Sequence, residues 1–216
     1  RILVEAGKLP PVAERVGCEP MVIKGPDGIG QYGGSWVRVY SGSTPYYVIQ
    51  AYMGGSTLVR WSPEGYPIKP NVAKGWDVSD DQRIWTLQFR NGMRWSDGYP
   101  FTADDVMFYF SDLYPVWRTG QTPTILKHHG RVGVVEKVDE LTVRFMFEDP
   151  HPLFLEVLAR EYTAFAPKHY LDPYVPDPGE DPTTMPLLQA GLNSTQLGTI
   201  STMLDFLLKP DNPEHP

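Results

Sequence analysis

Between Ile84 and Arg90 apolar and polar positions alternate, with Trp85, Leu87 and Phe89 on one side and Thr86, Gln88 and Arg90 on the other. A period of two is that of a strand with one buried face, and it places all three large side chains in one core. Leu141, Val143, Phe145 and Phe147 alternate in the same way with Thr142, Arg144, Met146 and Glu148. With a strand around Val132 to Val135 and a turn over Lys137 to Glu140, they predict a hairpin. A further strand is predicted over Ser35 to Tyr40, where aromatic and β-branched residues dominate, and a Ser41-Gly42-Ser43-Thr44 loop follows it. The Pro- and Gly-rich stretch to Asp27 reads as irregular structure with one short strand at Met21 to Ile23.

Helical spacing enters at Ala103. Thr102 can act as N-cap, Asp104 and Asp105 suit the positive end of the helix dipole, and Val106, Phe110 and Leu113 recur on one face. A second, short helix is predicted over Pro152 to Arg160, with Pro152 at a first-turn position. Between Asp172 and Pro186 five prolines accompany Asp, Glu and Gly, which marks a linker or an irregular surface loop. From Leu187 to Leu208 apolar residues return with partial helical spacing, interrupted by Gly191 and Gly198. The elements together predict a mixed α+β chain with no internal repeat.

Composition narrows the function classes. A chain of 216 residues buries roughly 70% of its unfolded surface, and 41% hydrophobic with 21% charged residues is ordinary for a globular protein. The formal charge of −7 without a Lys/Arg cluster argues against a surface that tracks phosphates, so nucleic acid is not an expected partner. Cys18 is the only cysteine, which excludes an internal disulfide and leaves the compartment open. It follows Ala13-Glu14-Arg15-Val16-Gly17 rather than an apolar run, so it reads as structural and not as a lipid-anchor cysteine. No stretch approaches the ~18 apolar residues of a membrane span. The start at Arg1 without Met suits a processed chain whose signal peptide lies upstream.

Motifs with chemical meaning fail on context. Gly28-Ile29-Gly30-Gln31-Tyr32-Gly33 matches the dinucleotide-binding glycine pattern, which needs a strand before it, a helix after it and an acidic residue ~20 positions on. A strand-like segment follows instead, and Met53 stands where the acid would be. The carboxylate pairs Asp80-Asp81, Asp104-Asp105 and Asp139-Glu140 sit before strands or at a helix start, where Asp serves turns and caps; neighbours in sequence also diverge in space. His128-His129 has no His at helical spacing and no Cys partner to close a metal site, and no nucleophile elbow exists. Neither a cofactor, a metal nor a catalytic residue is expected.

The segment from Pro70 to Phe110 carries a dense set of markers: Pro70, Ala73, Trp76, Ser79, Asp80, Asp81, Thr86, Arg90, Trp95, Asp97, Gly98, Pro100, Thr102, Ala103, Asp105 and Val106. In this order and spacing they resemble the signature region of family 5 extracellular solute-binding proteins, with Val72 where Leu is more usual. KVDELTVRFMFEDPHPLFLEVLA and Ala166-Pro167-Lys168-His169-Tyr170 resemble later segments of the same family, and the resemblance covers about residues 5 to 171. These markers are mostly turn formers, a helix cap and strand-core aromatics, so they specify fold rather than ligand.

The resemblance implies a periplasmic-binding-protein-like type II fold present in part: residues 1–50 as the first segment of lobe one, 51–171 as an inserted α+β domain, and 172–216 as a Pro-rich linker and return segment. It implies a non-enzymatic solute-binding component of an ABC importer, periplasmic or extracytoplasmic. Such a protein would capture an oligopeptide, dipeptide or oligosaccharide and deliver it to the permease subunits by closing two lobes around it. Ligands bind where loops leave the carboxyl ends of strands, which points to Tyr40, Ser41, Ser43, Thr44, Tyr46 and Tyr47 as ligand-binding candidates. The competing reading of these residues as ordinary loop and core tyrosines stays open. Two other functions also stay open: a carbohydrate-active enzyme, which needs two converging carboxyl groups, and a stand-alone sensor or adhesion module on the same fold.

Overall fold

The computed structural model describes residues 57–95, 97–117, 122–160 and 164–172, together with 6, 7, 11, 17–23, 28, 35 and 175. In chain order the strands are β1 (Val59–Trp61), β2 (Ile68–Pro70), β3 (Ala73–Val78), β4 (Ile84–Phe89), β5 (Lys127–His128), β6 (Arg131–Val132), β7 (Val134–Asp139) and β8 (Thr142–Met146). The helices are α1 (Ala103–Phe108), α2 (Tyr114–Trp117), α3 (Phe154–Leu158) and α4 (Lys168–Leu171). A π-helical turn over Tyr109–Leu113 joins α1 to α2, and a 3-10 turn over Thr124–Leu126 precedes β5.

Strand β4 lies inside a four-stranded antiparallel sheet of order β3-β4-β8-β7. Its alternation behaves as expected: Trp85, Leu87 and Phe89 are 5%, 0% and 0% exposed, while Thr86 and Gln88 are half-buried on the other face. Val143 and Phe145 on β8 stand directly across from Leu87 and Trp85 and are likewise buried. Helix α1 covers this face, with Val106 buried, and the π-helical turn that follows seats Phe110 edge-on against Phe145 at 5.8 Å between ring centroids. Each fully buried Leu or Phe contributes about 1.5–3 kcal/mol, so this one face accounts for much of the domain's stability.

Thr102 caps α1 as its side chain allows. The Asp104 amide donates to Thr102 Oγ1 at 3.2 Å, and the Thr102 amide donates to Asp105 Oδ2 at 2.9 Å. Two first-turn donors are thereby satisfied reciprocally. Helix α3 falls within the expected Pro152 to Arg160 stretch.

The structure differs from the sequence reading in three places. Strand β7 starts at Val134 and runs through Lys137 to Asp139, with a bulge between Lys137 and Asp139, so the turn is shorter than expected. Val132 belongs instead to β6, because Gly133 lies under Phe147, where an added Cβ would come within 2.6 Å of the ring. Residues 21–23 form no strand; Val22 and Ile23 are 82% and 54% exposed, so no buried face rewards pairing. The Ser35 to Tyr40 strand and the helical spacing from Leu187 to Leu208 lie outside the described residues, Ser35 apart.

Candidate functional site

The predicted ligand-binding residues Tyr40, Ser41, Ser43, Thr44, Tyr46 and Tyr47 also lie outside the described residues. What the structure does place is the signature region, and it forms a lock around one buried carboxylate. Asp105 is 3% exposed. Its Oδ2 accepts from the Trp95 indole N–H at 3.2 Å and from the Thr102 amide at 2.9 Å, and its Oδ1 accepts from the Lys168 amide at 3.0 Å. Three N–H donors compensate the loss of water that a buried carboxylate suffers. The loop from β4, the start of α1 and the start of α4 are thus tied at one point.

A second couple sits beside this lock. His169 Nε2 and Asp97 Oδ2 are 2.6 Å apart, and Tyr99 stacks on the His169 ring at 4.0 Å with 8° between planes. The His169 hydrogen bond, joined by the Tyr99 amide, holds the Asp97 carboxyl below the usual carboxylate range. Lys137 reaches both Asp104 at 2.8 Å and Glu140 at 2.7 Å, and these two hydrogen bonds raise its pKa. The remaining pairs serve turns: Asp81 accepts from Ser79 Oγ at 2.6 Å and from the Arg83 amide at 3.2 Å, and Asp139 accepts from the Leu141 amide at 2.8 Å. Asp81, Asp105 and Asp139 serve the turns and cap that their sequence positions indicate, while Asp104 and Glu140 share Lys137 in an ion pair that the sequence did not indicate.

A concavity lies elsewhere among the described residues. Strands β5 and β6 pair His128 with Arg131 across a two-residue turn in which His129 and Gly130 both have positive φ, 47° and 76°. That is the backbone of a type I′ hairpin, whose twist matches its strands. The turn folds the His129 ring onto His128 at 4.0 Å, and the other face of His128 stacks on His151 at 3.9 Å with 12° between planes. His128 Nε2 lies 2.8 Å from the Pro150 carbonyl; a carbonyl only accepts, so Nε2 carries the proton. The Phe147 and Phe154 rings close the base of the stack around His151.

The three imidazoles border a cleft of about 910 Å³ lined also by Thr124, Lys127, Pro150, Pro152, Leu153, Val157 and Arg160. His151 is 5% exposed and its Nδ1 is buried without a hydrogen-bond partner. Burial, and then the neighbouring His128 and His129, pull its pKa down to about 4. Among the described residues no group of three or more His, Cys, Asp or Glu side chains is arranged to hold a metal ion. The geometry explains why the histidines do not supply one: stacked rings present their nitrogens side by side rather than toward a common point.

The sequence showed His128-His129 but not His151, which the hairpin and the Pro150 turn bring in from far along the chain. The only local hint was His129-Gly130 as a turn dipeptide between short polar and apolar residues. Another, smaller concavity of about 440 Å³ lies where residues 17–21 dock beside Asn71, Arg90 and Trp95. There the Asn91 amide donates to Glu19 at 2.9 Å, and Gly17 approaches Gly92 so closely that a Cβ would stand 2.5 Å from its carbonyl oxygen. Cys18 lies in this contact, its thiol 3.2 Å from the Asn91 carbonyl, which agrees with a structural use.

Comparison with known proteins gives a consistent picture. The model of bacterial extracellular solute-binding proteins, family 5 Middle, matches residues 67–186. The chain is 36% identical over 192 residues to the periplasmic alpha-galactoside-binding protein of Rhizobium meliloti (strain 1021), covering 76% of this chain and 26% of that protein. It is 30% identical over 133 residues to the dipeptide-binding protein of Escherichia coli (strain K12), covering 53% and 24%. Among solved structures, the oligopeptide-binding protein OppA matches with a TM-score of 0.75 at 30% identity, over 97% of this chain and 33% of that one. The periplasmic binding protein MelB from Agrobacterium fabrum C58, in complex with stachyose, matches with a TM-score of 0.62 at 30% identity, over 81% and 30%. The chain therefore spans between about a quarter and a third of these relatives' lengths, and its fold is part of the type II periplasmic-binding-protein fold.

Proposed function

Because this chain belongs to the bacterial extracellular solute-binding proteins of family 5, we propose that it is part of the solute-binding component of an ABC importer, working outside the cytoplasmic membrane. The protein captures a small solute between two lobes and hands it to the permease subunits. The observation that carries this reading is the 36% identity over 192 residues to a periplasmic alpha-galactoside-binding protein. Of the named relatives it shares the most with this chain, so an oligosaccharide is favoured over a peptide. The carboxylates support a binding role over a hydrolytic one: a glycosidase needs two carboxyl groups facing each other across roughly 5–9.5 Å of open cleft, whereas Asp105, Asp81 and Asp139 are held in cap and turn hydrogen bonds and Asp104 is ion-paired with Lys137.

Residues 51–171 form the inserted domain in this reading, 1–50 the first segment of lobe one and 172–216 the return segment. The continuous core from Leu58 to Leu171 supports the first of these. The loop bearing Tyr40, Ser41, Ser43, Thr44, Tyr46 and Tyr47 is proposed to contribute aromatic faces and hydroxyls to the solute site. Titration calorimetry on the full-length protein with stachyose and, separately, with dialanine tests the reading. Saturable binding of stachyose is expected; absence of binding to either solute overturns it.

A further inference from the structure

We propose that the histidine cleft between the β5–β6 hairpin and α3 is a second ligand site, built for a small organic anion that joins an apolar body to a carboxylate or phosphate head. The inference does not depend on the importer reading, since it rests on residues of this domain alone.

Three observations converge on it. The cleft is roomy, about 910 Å³, which is the size range of small-molecule sites. Its walls combine apolar surface from Pro150, Leu153 and Val157 with two cations, Lys127 and Arg160, neither of which has a carboxylate partner among the described residues. Arg131 on the hairpin itself is committed, for it bonds Glu148 at 2.7 Å. Two unpaired cations at an apolar concavity match an anion with an apolar body, because the head is met by charge-assisted hydrogen bonds while the body leaves water.

The third observation is His151. A side chain 5% exposed with an unpartnered Nδ1 costs free energy that most buried polar groups avoid. Its ring is held edge and face by Phe147, Phe154 and His128, so it cannot turn to water without breaking the stack. Depression of its pKa keeps it neutral near pH 7, leaving Lys127 and Arg160 as the charges that select the ligand. The rigid stack holds the wall of the cleft in place, so a ligand meets a preformed surface.

The test is NMR on the whole chain at about pH 7.5, following the ring signals of His128, His129 and His151. The probes are benzoate, phenyl phosphate, inorganic phosphate and benzyl alcohol. Benzoate or phenyl phosphate should shift these signals saturably in the millimolar range, and whichever binds more tightly names the head group. Inorganic phosphate lacks the body and benzyl alcohol lacks the charge, so each should bind at least about tenfold more weakly. The variants K127Q and R160Q change exposed side chains and leave the core intact; each should weaken the better probe by about fivefold or more. No shift with either aromatic anion overturns the proposal. So does benzyl alcohol binding as well as benzoate, or unchanged affinity in both variants.

Discussion

The indole N–H of Trp95 lies 3.2 Å from Oδ2 of Asp105, a carboxylate 3% exposed at the first turn of α1. The same oxygen takes the Thr102 amide and its partner takes the Lys168 amide, so removal of the carboxylate strands three donors at once. Asp105→Ala should cost about 3–5 kcal/mol, because an orphaned buried donor costs about 1–3 kcal/mol and hydrogen bonds to a charged group exceed neutral ones. Asp105→Asn keeps the volume but turns an NH2 toward N–H donors, and should cost about 2 kcal/mol; Trp95→Phe removes one donor and should cost least. Urea unfolding of the three variants checks the order, and an Asp105→Ala protein as stable as the wild type refutes the lock.

Thr102→Ala isolates the other half of the same junction. It removes the Oγ1 that receives the Asp104 amide while leaving the Thr102 amide bound to Asp105. A loss of about 1 kcal/mol is expected. An unchanged denaturation midpoint would mean that water replaces the cap without cost.

These two sites also show what the sequence could and could not disclose. The cap, its acidic partner and the apolar face of α1 were legible because they are local, set by neighbours within one turn. Strand β4 was legible because one of its faces is solvated, so alternation survives in the sequence. Strand β3 was not, since only Ala73 on it is fully buried and a bulge between Ala73 and Gly75 breaks its period. Trp95, Asp105 and Lys168 were visible as family markers, but their convergence was not, because it depends on how the β4 loop and α4 pack around α1. The histidine cleft was hidden for the same reason. It is assembled from a hairpin and a turn that share no local pattern.

Gly133 separates β6 from β7, and its lack of a side chain is what lets the chain pass over Phe147. An added Cβ would meet the ring at 2.6 Å and the Met146 carbonyl at 2.9 Å. The carbonyl belongs to β8 and cannot yield without disturbing the β7–β8 ladder. Gly133→Ala should therefore destabilise by about 1–3 kcal/mol, the usual cost of overpacking, and should displace the hairpin that carries His128 and His129. Chemical denaturation measures the first effect and the His128 and His129 ring signals the second. A variant with wild-type stability and unshifted rings would show that the strand crossing adjusts freely.

The last prediction follows from His151 and concerns acid. In the unfolded chain its imidazole titrates near the model-peptide value of 6.5, and in the folded protein burial, then His128 and His129, lower it to about 4. Between these values the unfolded state binds the proton more readily, so stability falls as the pH drops from about 6.5 and the loss levels off below about 4. Asp149 lies 3.8 Å from His129 rather than against His151. A full shift of this size is worth about 1.4 kcal/mol per pKa unit, and the open mouth of the cleft screens part of it, so a contribution of roughly 2 kcal/mol remains. Carboxylates throughout the protein also titrate in acid, and the reading must subtract them. His151→Phe removes the titrating group and keeps a ring among Phe147 and Phe154. The loss of unfolding free energy between about pH 7.5 and pH 4.5 should be smaller in this variant than in the wild type by about 2 kcal/mol. Equal losses in the two proteins would show that the stacked imidazole is not held neutral by the fold.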